Sequence, residues 1–250
     1  MQANLNPDLG LGPWPEELWP DLTHVVTEDD TPVESWYQER QMSLLGATLN
    51  ISWQGPGDGR PFLAGTDIGV FGPDLKPIVP DLVLGLDVQA PQLTASHKKK
   101  GDRSWFTFRY GPPLLGAEIV STAQEGTKLS EYAALGVRYV VIWDPLQYLS
   151  RRRLRIYRLE GQTYRLLKSR FIPEMRLGLK MWRGTYMGIQ ELWLRWCDEN
   201  GNLLASPEEA AQDVRSERAL AEAERARADT ERARAERLAE RLRALGLDDT

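Results

Sequence analysis

The sequence predicts an α/β fold in which helices flank a mixed β-sheet. The run YVVIW at residues 139–143 is continuous, β-branched and aromatic, as is typical of a strand buried on both faces. A short apolar segment at residues 117–120 predicts a second strand before it. Between the two strands lie apolar side chains at helical spacing, namely Leu129, Tyr132, Ala133 and Leu135. A strand, a helix and a strand over this length form one crossover unit, which indicates the α/β class.

The remaining elements of the core follow from hydrophobic periodicity and turn residues. A helix with one buried face is expected to begin near Pro32, because Met42, Leu45 and Leu49 follow at intervals of about one turn. Strands are expected at residues 62–71, 81–88 and 105–110, and hairpins at 153–160 with 163–169 and at 192–198 with 203–204. Together these segments predict a sheet with both parallel and antiparallel strands.

The composition divides the chain into an arm, a core and a C-terminal helix. Residues 1–22 are rich in Pro, Gly and Trp, and we expect an irregular arm that packs through its tryptophans, with a disordered tail as the alternative. Residues 23–205 hold the predicted core. Residues 206–250 are expected to be helical, because Ser206 can cap a helix, Pro207 suits its first position and two acids follow in the first turn.

The C-terminal segment repeats with a period of seven but has only part of a coiled-coil seam. One heptad row is apolar, and it consists of Val214, Ala221, Ala228, Ala235 and Leu242. The second row that a coiled coil requires is apolar only at Leu238 and Leu245, and glutamates occupy it elsewhere. Two interpretations stay open, a solvated or weakly dimerising helix and a genuine coiled coil.

Charge and cysteine content limit the function classes. The 250-residue chain carries 31 basic and 36 acidic side chains, and this net charge of −5 argues against broad, non-specific coating of nucleic acid. Basic segments at residues 97–103 and 151–153 still allow a local basic groove. The single cysteine, Cys197, excludes an internal disulfide framework and predicts a cytoplasmic protein. Neither a signal peptide nor a membrane span is expected.

Two acidic residues and a lysine stand in an order that suits phosphodiester chemistry. Asp81 starts an apolar strand, Glu118 lies within another, and Lys128 starts the helix that follows. Taken singly, Asp81 is a common turn residue before a strand and Lys128 is an ordinary exposed lysine. Glu118 is more informative, because a carboxylate among apolar residues is usually paired or metal-bound. Two carboxylates with a nearby lysine are what a metal-dependent phosphodiesterase needs to activate a water and hold a phosphate.

The same residues carry a resemblance to a known family. The segments PDLV at 80–83, AEIVS at 117–121 and KLSEYAALGVRYVVIWDP at 128–145 resemble the Uma-two family, restriction-endonuclease-like proteins of the PD-(D/E)xK nuclease superfamily. The resemblance extends over nearly the whole chain. It implies a restriction-endonuclease-like core with a mixed β-sheet flanked by helices, followed by a long C-terminal helix. It also implies a DNA endonuclease that uses Mg²⁺ or Mn²⁺ and hydrolyses phosphodiester bonds through a metal-activated water.

The resemblance also implies roles for individual residues. The implied metal ligands are Asp81, Glu118, the backbone carbonyl of Ile119, and Glu34 on the first helix. The superfamily lysine often lies two residues after the acid, where this chain has Val120, so its role passes to Lys128. The lysines at 98–100 are expected to contact the DNA backbone.

The family pattern is not fully kept in the loop after Glu118. The loop is shorter than the family's, and Gln124 stands where an acid is expected. A shorter loop changes how closely Lys128 reaches the metal, and small displacements of catalytic groups cost much rate. The alternative function is therefore a catalytically degenerate nuclease fold that acts as an interaction module, in which the C-terminal helix recruits a partner or makes a homodimer.

Other residue types with chemical potential have simpler interpretations. Asp67 is expected at a turn or sheet edge, and Asp87 is an outside candidate for the site. Cys197 has no histidine near it in sequence and is expected to be a buried thiol. His24 and His97 form no recognisable motif and are expected at the surface.

Overall fold

The computed structural model describes residues 14–19, 35–57, 59–89, 104–121 and 128–244. The chain divides into a first unit that ends at Ser206 and a second that begins at Pro207. The helices are α1 (Trp36–Ser52), α2 (Thr107–Tyr110), α3 (Leu129–Ala134) and α4 (Pro207–Ala244). The strands are β1 (Phe62–Gly65), β2 (Val70–Phe71), β3 (Pro77–Ile78), β4 (Leu82–Leu86), β5 (Trp105–Phe106), β6 (Leu115–Ile119), β7 (Tyr139–Trp143), β8 (Leu154–Glu160), β9 (Thr163–Leu166), β10 (Phe171–Ile172), β11 (Leu177–Tyr186) and β12 (Ile189–Cys197).

A six-stranded mixed sheet forms the centre of the first unit. Its strand order is β1-β4-β6-β7-β8-β9. The central strands β6 and β7 are parallel, and the other neighbours are antiparallel. Helix α3 lies in the chain between β6 and β7, which confirms the predicted crossover unit. The β8–β9 hairpin is also confirmed, and the α/β class with a mixed sheet is correct.

The two faces of this sheet bury separate clusters. On one face, Leu82, Ala117 and Val141 pack with Leu45 and Leu49 of α1. On the other face, alternate residues of the same strands pack with Tyr132 and Leu135, and these residues include Val83, Val140 and Ile142. Because side chains alternate along a strand, the two faces are read directly from the sequence of β4, β6 and β7.

Helix α1 is joined to a second sheet by a buried glutamine. Ser35 caps the helix, and its hydroxyl accepts the backbone N–H of Gln38 at 3.1 Å. Gln41 is fully buried, and its side-chain amide donates to the carbonyl of Leu194 at 2.9 Å and accepts the N–H of Leu194 at 2.8 Å. This pairing satisfies both backbone groups of a residue in β12, so the helix is fixed against that sheet. The helix start predicted near Pro32 lies outside the described residues.

The predicted C-terminal turn at residues 199–202 is present, but the strand before it has a different main partner. Strand β12 pairs along its whole length with β11, whereas Leu203 forms only an isolated bridge with Cys197. The β11–β12 turn is Met187-Gly188, and both residues have positive φ, 46° and 80°. Methionine seldom adopts positive φ, so this two-residue turn carries only half of the usual sequence signal. The turn at residues 199–202 is rich in glycine and asparagine, so its sequence signal is stronger than that of Met187-Gly188.

Two further strand predictions are wrong in detail. Residues 62–71 form two strands in different sheets, β1 and β2, separated by a bend in which Asp67 has a φ of 55°. Residues 105–110 form the short β5 and then the helical turn α2. The alternation of aromatic and polar residues in that segment predicts a single strand. In the structure the strand ends after Phe106, and the side chains of Trp105 and Phe106 are buried in different clusters. Phe108 of α2 contacts the rings of Trp14 and Trp19.

The second unit contains helix α4. It begins at Pro207, where the sequence predicts a helix start, and none of its described residues is buried. Leu220, Leu238 and Leu242 are all exposed. Pairing of this helix with a partner stays a prediction. Among the described residues, no helix combines the length and the apolar character that spanning a membrane requires.

Candidate active site

Asp81 and Glu118 face each other at one edge of the main sheet. The antiparallel register of β4 and β6 pairs Leu82 with Ala117, so the next pair outward is Asp81 with Glu118. Side chains in facing positions point to the same side, with Cβ atoms about 5 Å apart. The pair of acids that the sequence places 37 positions apart is therefore brought together by strand register alone.

The position of Asp81 follows from the end of β4. Pro80, directly before it, has no backbone N–H and cannot donate to the sheet, so the ladder ends here. The Asp81 carboxylate accepts the backbone N–H of Ile119 at 2.5 Å through Oδ2. Its other oxygen, Oδ1, accepts a hydrogen bond from Nε2 of Gln38 on α1 at 3.1 Å. Asp81 is therefore held by β6 and by α1.

Glu118 lies on the α3 face, where two side chains of that helix reach its carboxylate. The hydroxyl of Tyr132 donates to Oε1 at 2.5 Å, and Nζ of Lys128 lies 3.4 Å from Oε2. Gly116 makes this possible, because a Cβ there would lie 2.5 Å from Cε1 of the Tyr132 ring. Lys128 and Tyr132 are four residues apart and so lie on one helix face.

Burial dominates the electrostatics of the pair. The Glu118 side chain is 18% exposed, and burial raises its pKa to about 7, with the Asp81 carboxylate adding to the increase. Lys128 and the Tyr132 hydrogen bond act in the opposite direction but do not cancel it. Burial and the neighbouring Glu118 raise the pKa of Tyr132 well above its ordinary value. Tyr132 is therefore a neutral hydrogen-bond donor at any physiological pH.

Gln38 supplies an oxygen that has no partner among the described residues. Its Nε2 donates to Asp81, while its Oε1 is buried and accepts no hydrogen bond there. A buried amide oxygen without a donor is uncommon. Hard divalent cations take carboxylate, amide and carbonyl oxygens, and Mg²⁺ commonly uses one or two carboxylates and keeps several waters. Asp81, Glu118 and Gln38 therefore form a donor set that fits such a cation.

The structure locates some of the predicted site residues near the acid pair and others away from it. Ile119 follows Glu118 and its N–H is bonded to Asp81, so its backbone adjoins both acids. Glu34, the lysines at 98–100 and most of the loop after Glu118 lie outside the described residues, as do both histidines. Among the described residues there is no group of three or more His, Cys, Asp or Glu side chains that could hold a metal ion.

The remaining candidates lie elsewhere. Asp87 follows the far end of β4, points into solvent and forms an ion pair with Arg60 at 3.6 Å, so it is not part of the acid pair. Asp67 lies in a bend after β1, as expected. Cys197 is a buried free thiol, also as expected.

Sequence reasoning missed two residues that contact the acids. Tyr132 was read only as an apolar helix position, although its spacing of four from Lys128 places both on one face. Gln38 stands on the predicted first helix and carries no motif of its own. The signal available for Gln38 was its polar side chain near the helix start, and the contact with Asp81 depends on tertiary packing.

The mixed sheet, with acids facing each other at the ends of neighbouring strands, defines a restriction-endonuclease-like α/β protein. A family model, Uma2, described as "Putative restriction endonuclease", matches residues 28–182. The chain belongs to the Uma2 family, and the match spans α1, the main sheet and both acids. No curated protein and no solved structure matches the chain.

Proposed function

We propose that this protein is a Mg²⁺- or Mn²⁺-dependent endonuclease that hydrolyses DNA phosphodiester bonds. The observation that carries the proposal is the pairing of Asp81 with Glu118 at one sheet edge, with Lys128 in contact with Glu118. Family membership supports a nuclease-like function. Metal dependence and catalysis are inferred from the chemistry of the donor set.

Asp81 and Glu118 would hold the divalent cation, together with the backbone carbonyl of Ile119. Glu34 is a further proposed ligand. When bound, a divalent cation lowers the pKa of a water molecule and neutralises charge on the leaving oxygen. The raised pKa of Glu118 fits this assignment, because a nearby dication offsets the two adjacent negative charges and favours the ionised carboxylate.

Lys128 would steady the phosphate during the displacement. The water oxygen attacks phosphorus and the water loses one proton to solvent, the bond to the leaving oxygen breaks, and the leaving alkoxide takes up a proton from solvent. Lys128 carries a compact positive charge within 3.4 Å of Glu118, where the phosphate must lie to reach the cation. Tyr132 fixes the carboxylate of Glu118 from the other side and leaves Lys128 able to move to the substrate.

The replacement of the superfamily lysine by Val120 agrees with this role for Lys128. Val120 is 4% exposed and belongs to the cluster on the α3 face, the side of the sheet on which Glu118 lies. A lysine from the strand and a lysine from the helix would therefore approach the same carboxylate. Despite the shortened loop, Lys128 remains in contact with Glu118.

The proposal is tested by titrating Mn²⁺ into the purified chain by calorimetry, beside the variant Asp81→Ala/Glu118→Ala. We expect the parent to bind Mn²⁺ and to nick supercoiled plasmid DNA, and the variant to lose both while its melting temperature stays nearly unchanged. The matched control, Asp67→Asn/Asp87→Asn, also removes two carboxylates and keeps a residue type that tolerates their positive φ of 55° and 60°. Full cleavage by Asp81→Ala/Glu118→Ala, or a large fall in its melting temperature with activity retained, would reject the assignment.

A second candidate function is an interaction module without catalysis. The 38-residue helix α4 favours it, because its apolar heptad row is exposed at both ends, at Val214 and Leu242. Sedimentation of the whole chain and of residues 1–206 would decide whether α4 makes a homodimer. A dimer that needs α4, in a protein that binds no Mn²⁺ even with DNA present, would favour this second function.

A further inference from the structure

A cleft lined by cations lies in the first unit beside β8 and β9. Its volume is about 500 Å³, and its lining comes from the loop before β8, Leu154 and Ile156 of β8, the end of β9, the segment after it, and Met181 of β11. Five lining residues are cationic, and they are Arg151, Arg152, Arg153, Lys168 and Arg170. Within the described part of the chain, no carboxylate forms an ion pair with any of the five.

The charge of this segment is opposite to that of the whole chain. Residues 151–170 hold eight arginines and lysines and one acid, Glu160, whereas the chain has a net charge of −5. Glu160 pairs with Arg165, which does not line the cleft. A concave surface lined by one sign of charge concentrates the electric field and attracts ligands of the opposite sign.

The loop that carries the three consecutive arginines is anchored by a buried carboxylate. Asp144 is fully buried and accepts the backbone N–H groups of Tyr148 at 2.8 Å, Leu149 at 2.9 Å and Ser150 at 3.2 Å. The guanidinium of Arg155 lies 3.7 Å from the same carboxylate. Arg153 closes the loop, because its Nε donates to the carbonyl of Pro145 at 3.0 Å. The arginines therefore project from a fixed base, and their placement is a property of the fold.

Strand directions place this cleft at the same sheet edge as the acid pair. Strands β6 and β7 run parallel and β8 runs antiparallel to β7, so β8 begins at the edge where β6 ends. Strand β9 ends at that edge too. Neighbouring strands lie about 4.8 Å apart, which puts the start of β8 roughly 10 Å along the sheet from the end of β6 and the end of β9 about 5 Å further. The cleft lies on the face that packs against α1, because Ile156 and Met181 belong to that cluster, whereas Glu118 lies on the α3 face, so DNA that contacts both sites passes around the sheet edge. A duplex carries a phosphate every 3.4 Å or so along each strand, so these distances correspond to a few nucleotides.

We propose that this basic cleft binds the phosphate backbone of DNA a few nucleotides away from the bond held at the acid pair. The position of the cleft on the substrate rests on the proposed nuclease function, whereas its affinity for the backbone does not. Guanidinium groups bind phosphate oxygens in a bidentate manner. None of the cleft's lining residues, all of them in the described ranges, is aromatic. The cleft therefore has neither the aromatic side chains on which bases stack nor those that anchor protein interfaces.

The test is DNA binding without cleavage. A fluorescein-labelled duplex of about 20 base pairs is titrated with the whole protein in EDTA, and anisotropy is followed over a series of salt concentrations. The cleft variant is Arg151→Gln/Arg152→Gln/Lys168→Gln, which leaves Arg153 in place to hold the loop. The control is Arg218→Gln/Arg225→Gln/Arg232→Gln, which removes the same charge from exposed positions of α4.

We expect the cleft variant to lose at least tenfold in affinity at low salt, and the slope of log K against log salt to fall by about 3, one for each lost phosphate contact. The control should bind nearly as the parent does. Equal losses in both variants would show that only net charge matters, and no loss in the cleft variant would show that DNA binds elsewhere. Either result would overturn the inference.

The same assay separates this inference from the proposed function. DNA binding is measured in EDTA and cleavage is measured separately in Mn²⁺, so the two activities are compared variant by variant. If the cleft variant loses DNA binding but the parent never cleaves DNA with Mn²⁺, the cleft is correct and the nuclease function is wrong. If the parent cleaves and the cleft variant binds and cleaves as well as the parent, the nuclease function stands and the cleft is wrong.

Discussion

Two carboxylates at the same edge of the main sheet, the fully buried Asp144 and the partly buried Glu118, have different partners. Asp144, directly after β7, is fully buried, accepts three backbone N–H groups and lies 3.7 Å from the guanidinium of Arg155. Glu118, near the end of β6, receives one hydroxyl and one lysine, and it faces a second acid, Asp81. The charge of Asp144 is compensated within the fold, whereas burial keeps the pKa of Glu118 raised despite the contacts with Lys128 and Tyr132.

The difference separates a carboxylate that builds the structure from one placed for a ligand. A buried ion is tolerated only when partners replace its hydration. Asp144 has these partners, and its hydrogen bonds order the loop that carries the arginines. Glu118 has one hydroxyl and one lysine among the described residues, and burial together with the Asp81 carboxylate still raises its pKa to about 7. A divalent cation would supply the missing positive charge, which is why the acid pair and not Asp144 is the proposed site.

Glu118→Gln should abolish function without lowering stability. The amide keeps the shape of the side chain but is a poor ligand for a hard cation, so we expect cleavage in Mn²⁺ to fall by roughly 1000-fold or more, about 4 kcal/mol of transition-state stabilisation. The midpoint of urea unfolding at pH 8 without metal should stay the same or rise. Plasmid nicking rates and urea unfolding measure the two effects. Retained cleavage would remove Glu118 from the site.

Asp144→Asn is the corresponding change on the structural side. The amide keeps one acceptor oxygen for the loop N–H groups but leaves the guanidinium of Arg155 buried without a counter-charge. Breaking a buried ion pair in this way typically costs about 3–5 kcal/mol of unfolding free energy. Urea unfolding should show the loss, and Mn²⁺ binding by the protein that remains folded should be unchanged. A loss of Mn²⁺ affinity without a loss of stability would reverse the roles given to the two carboxylates.

The sequence was enough to predict the acids because they stand in strongly patterned segments. The strand YVVIW and the apolar residues around Glu118 can be read locally, and the crossover unit follows from their spacing. The register of β4 and β6 makes Asp81 face Glu118. The sequence indicates only that the two acids lie on strands of the same core, in that order. The α/β core was therefore predictable, together with the order in which its acids and lysine occur.

The contacts that hold the acids were not predictable, because they come from helices packed across the sheet. Gln38 of α1 donates to Asp81, and Tyr132 of α3 donates to Glu118. The sequence around each residue does not indicate that its side chain contacts an acid. The role of Asp144 was missed for a different reason, because its hydrogen-bond donors are backbone N–H groups of residues 148–150, which no side-chain pattern marks. Strand β11 was missed because its turn uses Met187 at positive φ, a conformation that methionine rarely adopts.

The pH dependence of metal-free stability sharpens the contrast. The pKa of Glu118 is raised from 4.5 to about 7 in the folded chain. The folded state therefore binds more protons than the unfolded state between these values, and the unfolding free energy falls as pH rises from about 4.5 to 7, by up to about 3 kcal/mol. Urea unfolding of the parent and of Glu118→Gln over this range isolates the contribution, since other carboxylates are common to both. Parallel curves for the two proteins would show that Glu118 is ionised at little cost.

Tyr132→Phe should have the smallest effect, because it removes one donor and keeps the ring that covers Gly116. The lost hydrogen bond to Glu118 is worth about 1–3 kcal/mol when its acceptor is ionised, and less when Glu118 is protonated. The variant should therefore be destabilised more at pH 8 than at pH 5, and added Mn²⁺ should reduce that difference by taking over the compensation of the carboxylate. Cleavage should fall by no more than about tenfold, because Tyr132 positions Glu118 without contacting the phosphate. Urea unfolding at the two pH values, with and without Mn²⁺, measures this dependence. A loss of equal size at both pH values would mean that the hydroxyl contributes only to packing, and that Glu118 depends on Lys128 alone for its compensation.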